Sequence, residues 1–129
     1  MAEYVIEGGR IAVIPDLYAE LNRLFMAEED WTLGDSLDAL DDLLYGGIGA
    51  LVGDARPRVV WRESGRSREV LGRDATAAWL RGKLTQPDVF STASTQRRLD
   101  AVIAGTGPTY FDLVVEVFEA HPGIELELR

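Results

Sequence analysis

Three short apolar runs, each divided from the next by helix-forming sequence, constrain this chain more than anything else in it. Tyr4-Val5-Ile6 stops at Gly8-Gly9, Arg58-Val59-Val60-Trp61-Arg62 lies in the middle, and Ile124-Glu125-Leu126-Glu127-Leu128 alternates at the C-terminus. Strands joined through helices pair in parallel, because a tight turn connects only antiparallel neighbours. The expected fold class is therefore α/β, with one small three-stranded parallel sheet packed by helices. The chain has 129 residues and shows no internal repeat or dividing linker, so residues 1–129 read as one domain.

The helices between these runs carry clear signals. Pro15 suits a first helical turn, Asp16 suits the positive helix N-terminus, and Leu17, Leu21, Leu24 and Phe25 recur at helical spacing, which predicts a helix over 15–26. Residues 27–34 form a loop carrying Glu28, Glu29, Asp30 and Trp31. Asp35-Ser36 is a capping pair for a second helix over 36–45, which Gly46-Gly47 ends. The stretch 64–84 holds one or two helices, at Ser67–Leu71 and Asp74–Leu84. Residues 85–95 read as loop, with a short helix expected at 96–104. Thr109–His121 is a strongly apolar helix stopped by Pro122-Gly123.

On the second helix, Leu37, Ala39, Leu40, Leu43 and Leu44 cover one side, while Asp38, Asp41 and Asp42 cover the other with Tyr45 beside them. Asp38 and Asp42 are four residues apart and repel each other slightly. That cost is easily removed by mutation, so the pair hints at a use. The wider charge distribution agrees. Net charge is −9, but residues 1–55 hold a net −10, residues 56–98 a net +6 and residues 99–129 a net −5. Between Leu24 and Ala55 eight carboxylates stand without a single Lys or Arg. Such a chain is a poor ligand for nucleic acid and a good one for a basic protein.

Several functions are excluded or disfavoured. There is no cysteine, hence no disulfide, thiol chemistry or cysteine metal site; this fits the cytosol. One histidine precludes a multi-histidine metal site. No apolar run is long enough for a transmembrane helix, and Met1-Ala2-Glu3-Tyr4 does not begin a signal peptide. Asp38, Asp41 and Asp42 are a conceivable Mg²⁺-holding set for phosphate chemistry. The glycine pairs, however, lack the phosphate-cradling pattern and read as turns, so an enzyme is the weaker reading and no cofactor is expected. Trp61 and Trp79 are expected in the core, and Trp31 in the acidic loop is the tryptophan expected at a contact. His121 suits a helix C-terminus. Asp112, Glu116 and Glu119 read as the wet stripe of the last helix, and the basic middle as a solvated face, an intramolecular partner of the acidic ends, or a second binding surface.

The order of these residues resembles the barstar family of intracellular ribonuclease inhibitors. Val5-Ile6, Gly8, Ile11, Ile14, Asp16-Leu17 and Leu21 stand in that family's spacing, followed by Gly34-x-x-Leu37-Asp38-Ala39-Leu40-x-Asp42-x-Leu44 and Gly46. Trp61-Arg62 with Ser67-Arg68, then Asp112 and Phe118, extend the match. Residues 85–107 look like an insertion about which the resemblance says nothing.

The resemblance implies a barstar-like fold and an inhibitor acting in the cytoplasm as an immunity protein or antitoxin. It would bind a basic ribonuclease or ribonuclease-like toxin one to one, plugging its active site. Asp42 matches the family's central aspartate, which occupies the place of a substrate phosphate, Asp38 a second contacting aspartate and Asp112 an outlying acidic contact. The rest of the surface would comprise Trp31, Thr32, Leu33, Gly34, Asp35, Ser36, Asp41 and Tyr45. The family's aromatic pair in the loop is Thr32 and Leu33 here, its asparagine near the helix start is Ser36, and its exposed tryptophan is Asp41. These departures leave open a barstar-fold interaction module for a different basic partner.

Overall fold

In the computed structural model, which describes residues 2–129, the three apolar runs become strands β1 (Glu3–Glu7), β2 (Arg58–Arg62) and β3 (Glu125–Leu128). They form one three-stranded sheet in the order β1-β2-β3, with both pairings parallel. The register sets Tyr4 beside Val59, Ile6 beside Trp61 and Leu126 beside Val59. Because side chains alternate along a strand, these residues share one face, and they belong to the main apolar core with the helices. The opposite face carries charge. Arg58 reaches Glu3 at 3.9 Å and also pairs with Glu127, and Arg62 lies 3.3 Å from Glu7. Part of the basic middle thus neutralises the acidic ends across the sheet.

Among the described residues six α-helices complete the architecture: α1 (Ile14–Phe25), α2 (Leu37–Leu44), α3 (Ser64–Val70), α4 (Arg73–Leu84), α5 (Thr92–Ile103) and α6 (Tyr110–Glu119). Asp16 begins α1 by accepting from the Ala12 and Val13 N–H groups at 2.9 and 3.2 Å. Thr109 and Asp112 cap α6 reciprocally: the Thr109 hydroxyl accepts from Asp112 N–H at 3.2 Å and the Asp112 carboxylate from Thr109 N–H at 3.0 Å. Gly8 is required by space alone. A Cβ there would lie 2.3 Å from the Arg62 carbonyl oxygen, so the turn after β1 packs directly on β2. No helix among the described residues is long and apolar enough to cross a membrane.

Leu17, Leu21, Phe25, Leu40, Leu43, Phe111, Val114 and Phe118 close over Ile6, Val59 and Trp61 to form the core. Its few polar atoms are matched. Trp61 Nε1–H donates to Ser67 Oγ at 3.0 Å, Tyr110 N–H donates to Thr76 Oγ1 at 2.7 Å, and the Tyr18 and Tyr110 hydroxyls pair with each other. Glu20, 3% exposed, accepts from Glu7 N–H at 2.7 Å and takes a two-pronged contact from Arg23.

The region 64–107 differs most from expectation. The third helix starts at Ser64 rather than Ser67, directly after Glu63, whose φ of 51° turns the chain out of β2. The expected loop 85–95 contains the beginning of α5, which starts at Thr92 under a Ser91 cap. Helices α4 and α5 form a hairpin with its own small apolar cluster of Ala77, Leu80, Leu99 and Val102. The short helix expected at 96–104 is the later part of α5, which begins four residues earlier; little apolar signal marks its first turn, and packing on α4 supplies the missing stabilisation. Trp79, expected in the core, is half-buried at the edge between this hairpin and α6.

Candidate functional site

The acidic loop after α1 is pinned at both ends. Met26 is buried at its start and Leu33 at its end. The Asn22 side chain clamps Leu33 by accepting from its N–H at 2.7 Å and donating to its carbonyl at 3.3 Å. Between these anchors Glu28, Glu29, Asp30, Trp31 and Thr32 are exposed, with Trp31 at 46%. The expectation that Leu33 belongs to a contact surface is corrected here. Only 5% of it is exposed, because an aliphatic side chain at that position gains more by entering the core than by facing water.

Gly34, Asp35 and Ser36 are exposed and lead into α2. Ser36 is its N-cap, with Oγ accepting from Ala39 N–H at 3.0 Å. Leu40, Leu43 and Leu44 bury the inner side of α2. Asp38 and Asp42 are exposed, Asp41 is half-exposed, and Tyr45 stands 74% exposed just past the helix end. Gly46, at φ +82°, then reverses the chain in a left-handed conformation that suits glycine. The carboxylates thus project from a rigid, core-anchored helix.

Helix α2 lies alongside α6 and runs the same way. Asp35, Leu37 and Asp38 share a groove with Tyr110 at one end, while Asp41 and Tyr45 meet His121 at the other. Asp41 Oδ1 is 2.7 Å from His121 Nε2, and the Tyr45 ring meets the imidazole edge-on at 4.8 Å. His121, expected only as a helix-end residue, therefore tethers Asp41. Nothing local in sequence signals this, because the partners lie 80 residues apart. Asp42 and Asp38 form no ion pair among the described residues.

Asp112 stands apart from this group. Besides capping α6 it lies 3.8 Å from Arg68 of α3, in a depression with Glu116 and Glu119. The structure thus brings together Trp31, Thr32, Gly34, Asp35, Ser36, Asp38, Asp41, Asp42 and Tyr45 along one loop and helix, and sets Asp112 on the α3 side of α6. No group of three or more acidic, histidine or cysteine side chains among the described residues converges in a metal-holding geometry. Of the Asp38, Asp41 and Asp42 set, Asp41 is engaged by His121 instead.

The hairpin contributes residues to this surface that the sequence did not mark. Lys83 of α4 and Phe90 and Arg98 of the 85–107 segment line the groove opposite Asp35 and Asp38. Burial and the neighbouring Arg98 charge lower the Lys83 pKa, against an opposing pull from Asp38. Beneath the groove, burial raises the Tyr110 hydroxyl pKa and the Asp35 charge raises it further, against a lowering contribution from its hydrogen bond with Tyr18.

No family model and no curated protein matches the chain.

Proposed function

We propose that this protein is a barstar-like inhibitor, non-enzymatic and cytoplasmic, that binds a basic ribonuclease or ribonuclease-like toxin one to one and blocks its active site. One observation carries the reading: Asp38 and Asp42 are exposed on a core-anchored helix, with no cation among the described residues paired to them. A ribonuclease site must attract phosphodiester anions, so it carries the positive charge this helix complements. Complementary fields speed association. A carboxylate held by a guanidinium fork makes a strong, geometrically specific contact. Asp42 is the central group in this reading, flanked by Asp38, Asp41 and Asp35, with Trp31 and Tyr45 as the aromatic contacts and Thr32, Gly34 and Ser36 completing the surface.

The burial of Leu33 and the tethering of Asp41 by His121 favour, as a second reading, the same surface acting on a different basic partner. Both readings are tested by titrating the purified protein into a barnase-type ribonuclease while following RNA cleavage, beside Asp42→Ala. The inhibitor reading expects stoichiometric inhibition that the substitution weakens by about 2–5 kcal/mol, the usual cost of truncating a buried interfacial charge pair. Absence of inhibition at micromolar excess removes barnase-type enzymes as partners and leaves the second reading.

A further inference from the structure

The groove between the start of α2 and the α4–α5 hairpin has a volume of about 300 Å³ and walls of opposite charge. Asp35 and Asp38 stand on the α2 side, and Lys83 and Arg98 on the hairpin side. Among the described residues none of these four joins an ion pair, so the two walls face each other without closing. The cations are held in place by rings. Lys83 Nζ lies 4.1 Å from the Trp79 ring centroid and 4.9 Å from that of Phe90, and the Arg98 guanidinium lies 5.3 Å from Trp79. Two like charges fixed side by side, one of them partly desolvated, favour an arriving anion.

We propose that this groove is a two-signed docking subsite for a segment of the protein partner that carries a carboxylate next to a cation. The carboxylate seats between Lys83 and Arg98, and the cation faces Asp35 and Asp38. The inference rests on the reading of α2 as the partner-binding helix and deepens it. The α4–α5 hairpin, by adding Lys83, Phe90 and Arg98 beside that helix, converts an acidic surface into one that discriminates among basic partners. A partner with cations alone leaves Lys83 and Arg98 opposite like charge, and unfavourable juxtaposition is a direct route to specificity.

The test is selection of a random-peptide phage library on the intact protein. Enriched peptides are then measured against wild type, Lys83→Glu/Arg98→Glu, Lys83→Gln/Arg98→Gln and Glu116→Gln/Glu119→Gln, each checked for a cooperative circular dichroism melt. The expected peptides place an acidic residue close to a basic one and shift the indole N–H resonance of Trp79, assigned with Trp79→Phe. Removing the two cations as Gln should weaken them roughly tenfold, the size of a charge-assisted contact, and reversing the charges should weaken them more. The Glu116/Glu119 variant, altered on the exposed stripe of α6 outside the groove, should bind them nearly as wild type does. Peptides that are purely basic or purely acidic, peptides indifferent to Lys83 and Arg98, or no enrichment at all would overturn the proposal. Failure of ribonuclease inhibition with two-signed peptides recovered removes only the nuclease partner. Intact inhibition with purely basic peptides removes only the groove.

Discussion

Removing one hydroxyl from the Tyr18–Tyr110 pair should cost more than removing both in proportion. The two phenols join α1 to α6 beneath the candidate surface, and each is essentially excluded from solvent, at 0% and 1% exposure. Among the described residues, each is the only hydrogen-bond partner of the other's hydroxyl. Tyr18→Phe therefore leaves the Tyr110 hydroxyl buried and unpaired, which costs about 1–3 kcal/mol; Tyr110→Phe does the same to Tyr18. The double substitution removes both polar atoms and keeps the ring shapes, a change that is close to neutral in principle. A double-mutant cycle should therefore be strongly non-additive, with the double variant no less stable than either single one and a coupling of about 1–3 kcal/mol.

The assay is urea unfolding followed by far-ultraviolet circular dichroism, with equal m-values confirming that the unfolded state is unchanged. Burial, then the hydrogen bond to Tyr110, raises the Tyr18 pKa well above its ordinary 10.0. Both hydroxyls therefore stay protonated at neutral pH, and the cycle should not vary there. A folded-state pKa above the unfolded value gives stability that is complete below pH 10.0 and lost as pH rises toward the folded value. Additive losses in the two single variants would refute the claim that the hydroxyls satisfy each other.

Three further outcomes follow from the same structure. Burial raises the Glu20 pKa, but hydrogen bonds from Arg23 and Glu7 N–H and the charges of Arg23 and Arg10 outweigh it, so the net shift is downward; its stabilising contribution is present above the ordinary 4.5 and lost as pH falls through the folded value. Glu20→Gln should lose about 1–2 kcal/mol at neutral pH, discounted because Arg23 is half-exposed, and should flatten the acid limb of a stability–pH curve. Gly8→Ala should destabilise by about 2–3 kcal/mol in thermal or urea unfolding, because its Cβ meets backbone oxygens of Arg62 and Glu63 that cannot retreat without moving β2. Asp42→Ala should make the free protein more stable, by about 0.5 kcal/mol, since it relieves repulsion from Asp38 and adds a better helix former. Gain of stability together with loss of inhibition is the signature expected of a charge kept for binding.

The parallel sheet was legible in the sequence because strand and helix periodicities are local properties. The apolar runs at 4–6, 58–62 and 124–128 lie within or overlap the observed strands, and the spacing of Leu17, Leu21 and Phe25 located α1. The acidic face of α2 was legible for the same reason, since residues four apart on a helix are neighbours whatever surrounds them. Where local signal was weak, tertiary contact decided. Helix α5 carries little apolar periodicity and is held by α4. Leu33, read as a surface residue, turns inward because Asn22 from a neighbouring helix clamps its backbone. The link from Asp41 to His121, and the groove in which Lys83 and Arg98 confront Asp35 and Asp38, join residues far apart in the chain. Local order along the chain thus set the strands, most of the helices and the charged faces. Which charges meet follows from packing instead, because it depends on how helices from distant segments lie over one sheet.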